Sequence, residues 1–149
     1  MKYIFDIQED GEAQLVTNLS GIDDLLFSRE NNYILYDGDV YDYNFWDGTK
    51  IIEDQNRLAE EQYLAWKEQR EISVDEIIIT TSTGNQFDGH EMAQGRMARA
   101  VILMDDVMEI GWILADNSVA MITKAELLEA LYLSGQEQSR LWTLDKPTV

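Results

Sequence analysis

Phe87–Leu133 reads FDGHEMAQGRMARAVILMDDVMEIGWILADNSVAMITKAELLEALYL, and its punctuation predicts helix, strand, tight turn, strand and helix in that order. Asp88 stands three residues before Glu91 and Thr123 three before Glu126, the spacing of a capping box ahead of an apolar run. Between the two helices, Ile110–Ala115 and Ser118–Ile122 flank Asp116-Asn117. Both turn residues tolerate left-handed φ, so a tight hairpin is expected, with Trp112 on its first strand under a helix. Ala93, Met97, Ala100, Val101 and Met104 recur at helical intervals and predict one buried face. Arg96 and Arg99 fall outside that stripe, where ion pairing with acidic neighbours is the simplest expectation. Leu127, Leu128 and Leu131 give the last helix its apolar side, and Gly135 is a candidate break before Gln136–Trp142.

Upstream, Lys2–Ile7 and Glu12–Thr17 read as strands around Asp10-Gly11. Ser20 and Asp23 have N-cap spacing for a short helix over GIDDLLF. Asn32–Tyr36, Asp39–Trp46 and Thr49–Ile52 are separated by Asp37-Gly38 and Asp47-Gly48, the chemistry of two-residue type I′ turns. A three-stranded antiparallel meander is expected, with Tyr41, Tyr43 and Phe45 in one row along its middle strand. Glu53–Glu71 is rich in strong helix formers, with Leu58, Ala59, Tyr63 and Trp66 as a narrow apolar stripe. Ser73–Thr81 predicts a strand centred on Ile77–Ile79, and the small polar run Ser82-Thr83-Gly84-Asn85 a lobe boundary. The expected architecture is α+β: residues 1–84 as an antiparallel β-meander with a long helix, residues 85–149 as a helix–β-hairpin–helix lobe.

The composition bounds function by exclusion. The chain has 149 residues, 45% of them hydrophobic, enough for one core or two small ones. There are no cysteines and one histidine, so thiol chemistry, disulfides and cysteine-ligated metals are ruled out. His90 lacks the companions a catalytic triad or a zinc site requires. Asp37, Asp39 and Asp42 miss the calcium-loop pattern, since Tyr41 occupies its fifth position and the glycine is second. Asp105, Asp106 and Glu109 are better explained by turn formation than by metal. No phosphate-binding glycine motif is present, and no catalytic residue, metal or cofactor is expected. The amino-terminal MKYIFDIQEDGE turns acidic too early for a secretory signal, and a cytoplasmic origin is expected.

Net charge is −18, from 29 acidic against 11 basic residues, and the excess runs through both halves of the chain. Such a surface repels nucleic acid and anionic membranes, so neither is expected as a partner. A basic protein partner fits it, and imitation of DNA by an acidic inhibitor is the alternative. Tyr41, Tyr43, Trp46, Tyr63 and Trp66 are candidate interface or core anchors, because aromatics concentrate at binding hot spots. The aromatic row also admits a glycan-binding module.

Asn85–Trp142 resembles a family of small C-terminal domains in proteins encoded near the tail and tail-fibre genes of tailed bacteriophages. The resemblance rests on Phe87-Asp88-Gly89, on Arg96-Met97-Ala98-Arg99-Ala100, on Trp112 leading into Ala115-Asp116-Asn117, and on Ile122-Thr123-x-x-Glu126-Leu127. The helix sequence EEQYLAWKEQREI is similar to a helix of tail-fibre assembly proteins. The family implies a role at the tail or its fibres, as virion component or assembly factor, in the virion tail or in the host cytoplasm during assembly. Its partners would be other tail or tail-fibre proteins, with a homo-oligomer as a further option, and it supplies no catalytic residues. Within this family setting Asp88, Trp112, Asp116, Asn117, Thr123 and Glu126 are expected to specify the fold.

Overall fold

The computed structural model describes residues 2–19 and 33–148, and the helix expected over GIDDLLF lies outside them. The chain is α+β, and it divides into two compact units, Met1–Gln62 and Tyr63–Val149.

In the first unit β1 (Lys2–Ile7), β2 (Glu12–Leu19), β3 (Ile34–Asp37), β4 (Asn44–Trp46) and β5 (Ile51–Glu53) form one antiparallel sheet in the order β3-β1-β2-β4-β5. The β1–β2 hairpin follows the expectation, with Gly11 at φ +92° in its turn. The expected meander is corrected. Ile34–Asp37 pairs with Phe5–Lys2 on the far side of β1, so Asp37-Gly38 does not join neighbouring strands. Tyr36 meets Phe5 edge-on at 6.2 Å between ring centroids, a contact that only this pairing provides. The middle strand shrinks to Asn44–Trp46. The Asn44 side chain accepts from Tyr41 N at 2.9 Å and donates to Tyr41 O at 2.8 Å, closing a local loop in place of a ladder. Tyr41 and Tyr43 therefore lie outside any strand, and the expected aromatic row does not form. Of the two Asp-Gly pairs expected to turn the meander, Asp47-Gly48 alone sits in a hairpin, inside a four-residue loop where Asp47 Oδ1 accepts from Thr49 N and Lys50 N, both at 2.8 Å. Phe5, Ala13 and Ile51 form the core here, with Tyr3, Tyr36, Val40 and Trp46 packed on them.

The long helix α1 (Gln55–Asp75) starts on Asp54, whose Oδ1 accepts from Asn56 N at 3.1 Å and Arg57 N at 3.2 Å. It extends past the expected end and absorbs the start of the strand predicted from Ser73. The unit division falls inside it, after Gln62, and not at the 84/85 boundary expected. That boundary is in fact a hairpin: β6 (Ile78–Thr80) pairs with β7 (Gln86–Asp88), and Gly84 turns it at φ +91°.

The second unit continues with α2 (Glu91–Leu103), the hairpin β8 (Glu109–Ile113) and β9 (Val119–Thr123), and α3 (Lys124–Thr143). Its core joins Ile77, Ile79 and Phe87 to Met97, Val101, Ile122, Leu127 and Ala130. Asn117 adopts φ +65°, as a tight turn demands, and Thr123 caps α3 by accepting from Glu126 N at 3.2 Å. Two capping expectations are corrected. Asp88 belongs to β7, because Gly89 N still donates to Ile77 O and keeps the chain in the sheet. The cap of α2 is His90, whose Nδ1 accepts from Ala93 N at 3.2 Å. Glu126 does not fold back on Thr123; it turns inward. Gly135 leaves α3 unbroken to Thr143.

Candidate docking surface

Alternation along the β8–β9 hairpin divides its residues between two faces. Ile110, Trp112, Ala120 and Ile122 turn toward the core, and Trp112 packs there half-buried. The register sets Ile113 opposite Val119 and Gly111 opposite Met121 on the other face. Beyond Glu109 at its end, that face is apolar and open to water: Ile113 is 64% exposed, Val119 71% and Met121 61%. Exposed apolar neighbours of this kind mark interaction surfaces. Beside Ile113 a pocket of about 200 Å³ opens between the hairpin and α2, lined by Asp88, Ala93, Arg96, Gly111, Trp112 and Ile113.

Arg96 gives the pocket its chemistry. Its Nη2 donates to Met92 Sδ at 3.3 Å, and no carboxylate among the described residues lies within ion-pair distance. The ion pair expected for it is therefore not formed among the described residues, and the same holds there for Arg99. The pocket can hold an aliphatic or aromatic side chain against Trp112 and Ile113 while Arg96 donates to a carboxylate or carbonyl.

The expected aromatic anchors are divided between the units. Tyr41 is 40% exposed in its loop, and Trp46 packs on the sheet core. Tyr43 is half-buried with the Arg57 guanidinium 4.8 Å from its ring centroid, and its hydrogen bond to the Glu61 carboxylate raises its phenol above the ordinary range. Arg57 also pairs with Glu12. In the second unit the Tyr63 and Trp66 rings meet at a tilt with centroids 5.7 Å apart, and Trp66 Nε1 donates to Leu144 O at 2.8 Å. Arg70 lies 5.0 Å from the Trp66 ring and 3.9 Å from the Trp142 ring, a clasp that spacing along the chain did not signal.

The fold-specifying residues depart from expectation at Glu126. The residue is 9% exposed, and its Oε1 accepts from Thr81 Oγ1 at 2.9 Å, Asn85 Nδ2 at 2.8 Å and Thr83 Oγ1. Burial pushes this carboxyl up, but the hydrogen bonds from Thr83, Asn85 and Thr81 outweigh it and hold the group below its ordinary range. One turn on, Glu129 accepts from Ser82 N at 2.7 Å and Ser82 Oγ at 2.8 Å. The run expected as a lobe boundary is thus bolted to α3 by two carboxylates. At the other hairpin, hydrogen bonds from the Ser118 hydroxyl and backbone lower Asp116. No group of three or more metal-ligating side chains occurs among the described residues. No described helix is long and apolar enough to cross a membrane.

No protein-family model, no curated protein and no solved structure matches the chain.

Proposed function

We propose that this chain is a non-enzymatic protein of a tailed bacteriophage, associated with the tail or its fibres and acting by docking on other tail or tail-fibre proteins. The carrying observation is the exposed apolar face of Ile113, Val119 and Met121 beside the Arg96 pocket. It lies within the segment that resembles the tail-associated domains, and Arg96 and Trp112 of that motif line the pocket. Purified virions and a deletion mutant test the reading. Detection in virions by mass spectrometry makes the protein a structural component; absence from virions with failed fibre assembly in the mutant makes it an assembly factor. Absence from virions together with normal fibre assembly overturns both.

The charge of −18 favours a second reading, an acidic inhibitor that imitates DNA before a host nucleic-acid-binding protein. In that case the chain competes with duplex DNA for such a protein, and the competition disappears as salt is raised.

A further inference from the structure

Among the described residues β6 is paired on one edge and open on the other. Along an antiparallel ladder, successive residues turn their N–H and C=O alternately toward the partner and away from it. The bonds at both ends of the β6–β7 hairpin set the phase: Gly89 N donates to Ile77 O at 2.7 Å, and Thr81 N to Asn85 O at 3.0 Å. Ile77, Ile79 and Thr81 therefore face β7, while Ile78 and Thr80 face outward. The partner strand obeys the same phase, since Gln86, opposite Thr80, turns its carbonyl outward to accept from Ala115 N at 2.9 Å. The outer edge of β7 is covered there. On β6, the N–H and C=O of Ile78 and Thr80 have no hydrogen-bond partner among the described residues.

A shallow groove of about 420 Å³ runs beside this edge, bounded by β6 and by Leu133, Gln136, Glu137 and Arg140 of α3. Glu137 and Arg140 pair with each other at 2.6 Å, so the groove carries no spare charge. On the opposite face Ile78 is 56% exposed. Exposed acids surround the strand: Asp75 and Glu76 precede it, and Asp88 stands directly across from Ile78.

We propose that the open edge of β6 receives an extended segment of a partner protein as a third strand. Ile78 and Thr80 supply two donors and two acceptors to its backbone. Every second side chain of the segment drops into the groove against Leu133 and the aliphatic stems of Gln136 and Arg140, which calls for an aliphatic residue. The surrounding acids call for lysine or arginine at its ends. The occupant is thus a short aliphatic strand with basic flanks. This goes beyond the docking face described above and does not depend on the phage setting.

The test selects binders from a library of random heptapeptides on the full-length protein and measures amide hydrogen exchange with the synthesised winners. Peptides with alternating aliphatic residues and basic ends are expected. They should slow exchange at the Ile78 and Thr80 amides, which exchange fast in the free protein, whereas Ile79 and Thr81 are protected throughout. Thr80→Pro removes an N–H from the open edge alone, a position where an edge strand tolerates proline, and should weaken binding at least about tenfold. If that variant fails to fold, the exchange pattern of the unmodified chain decides. Ile113→Glu, on the other docking face, should leave peptide affinity unchanged. No enrichment, binding that leaves both amides exchanging freely, or equal affinity for a folded Thr80→Pro variant overturns the proposal.

Discussion

Glu126 shows how far one residue's role depends on what surrounds it. Removing this buried carboxylate takes an acceptor from Thr81, Thr83 and Asn85 at once, although Thr81 Oγ1 keeps Asn85 O within reach at 3.3 Å. Glu126→Ala should therefore cost about 1.5–3 kcal/mol in urea unfolding at neutral pH. Because its folded pKa lies below the ordinary glutamate range, the unfolded chain binds the proton more readily. Its contribution is complete above that range and is lost as pH falls through the folded value. The gap between wild type and Glu126→Gln should accordingly narrow from about pH 7 to about pH 3, and a gap that widens would contradict the assignment. Gly89 is a second such residue. A Cβ there would sit 2.8 Å from Ser134 Oγ and closer still to Ile77 Cγ2, so Gly89→Ala should lose about 1–3 kcal/mol, read from its thermal midpoint. Neither role is visible locally: Glu126 has capping spacing and Gly89 resembles any turn glycine.

Elements carry their own predictions. The β8–β9 turn depends on Asn117 at φ +65°, which alanine reaches only with strain. Asn117→Ala should destabilise by about 1 kcal/mol, and Asn117→Gly should not, a contrast that denaturant midpoints resolve. Helix α2 hangs on His90, so His90→Ala should cost about 0.5–1 kcal/mol and His90→Asn should keep the cap. Turn residues and the Thr123 cap were legible in the sequence because each acts within four positions of itself. The partner of β3 was not. An aliphatic strand fits any open edge, and Asp-Gly suggested the nearest one, while the contact of Tyr36 with Phe5 settled it on β1.

For the whole molecule, two quantities matter: charge and the division into units. At −18 the folded chain repels itself, and added salt screens that repulsion. Raising sodium chloride from about 10 mM to about 300 mM should raise the thermal midpoint, and a flat response would mean that the acids are already offset locally. The second unit holds the complete larger core, from Val74 to Ala130, together with the Trp66–Arg70–Trp142 clasp. A fragment over Tyr63–Val149 should therefore unfold cooperatively by itself, as near-ultraviolet circular dichroism of its tryptophans can show.

By itself the amino-acid sequence determined the α+β class, the two β-hairpin turns at Gly11 and Asn117, the helical face of Met97 and Val101, and the cap at Thr123. These follow from periodicity and from backbone chemistry within a few residues. Tertiary structure alone decided that β3 crosses to β1 and that Ser82–Asn85 is bolted to α3. It likewise decided that, among the described residues, Arg96 lines a pocket with Trp112 and Ile113 with no carboxylate in ion-pair distance, and that one edge of β6 is open. Each of these depends on which distant groups meet, and hydrogen-bonding edges and charged side chains do not specify their partners in advance.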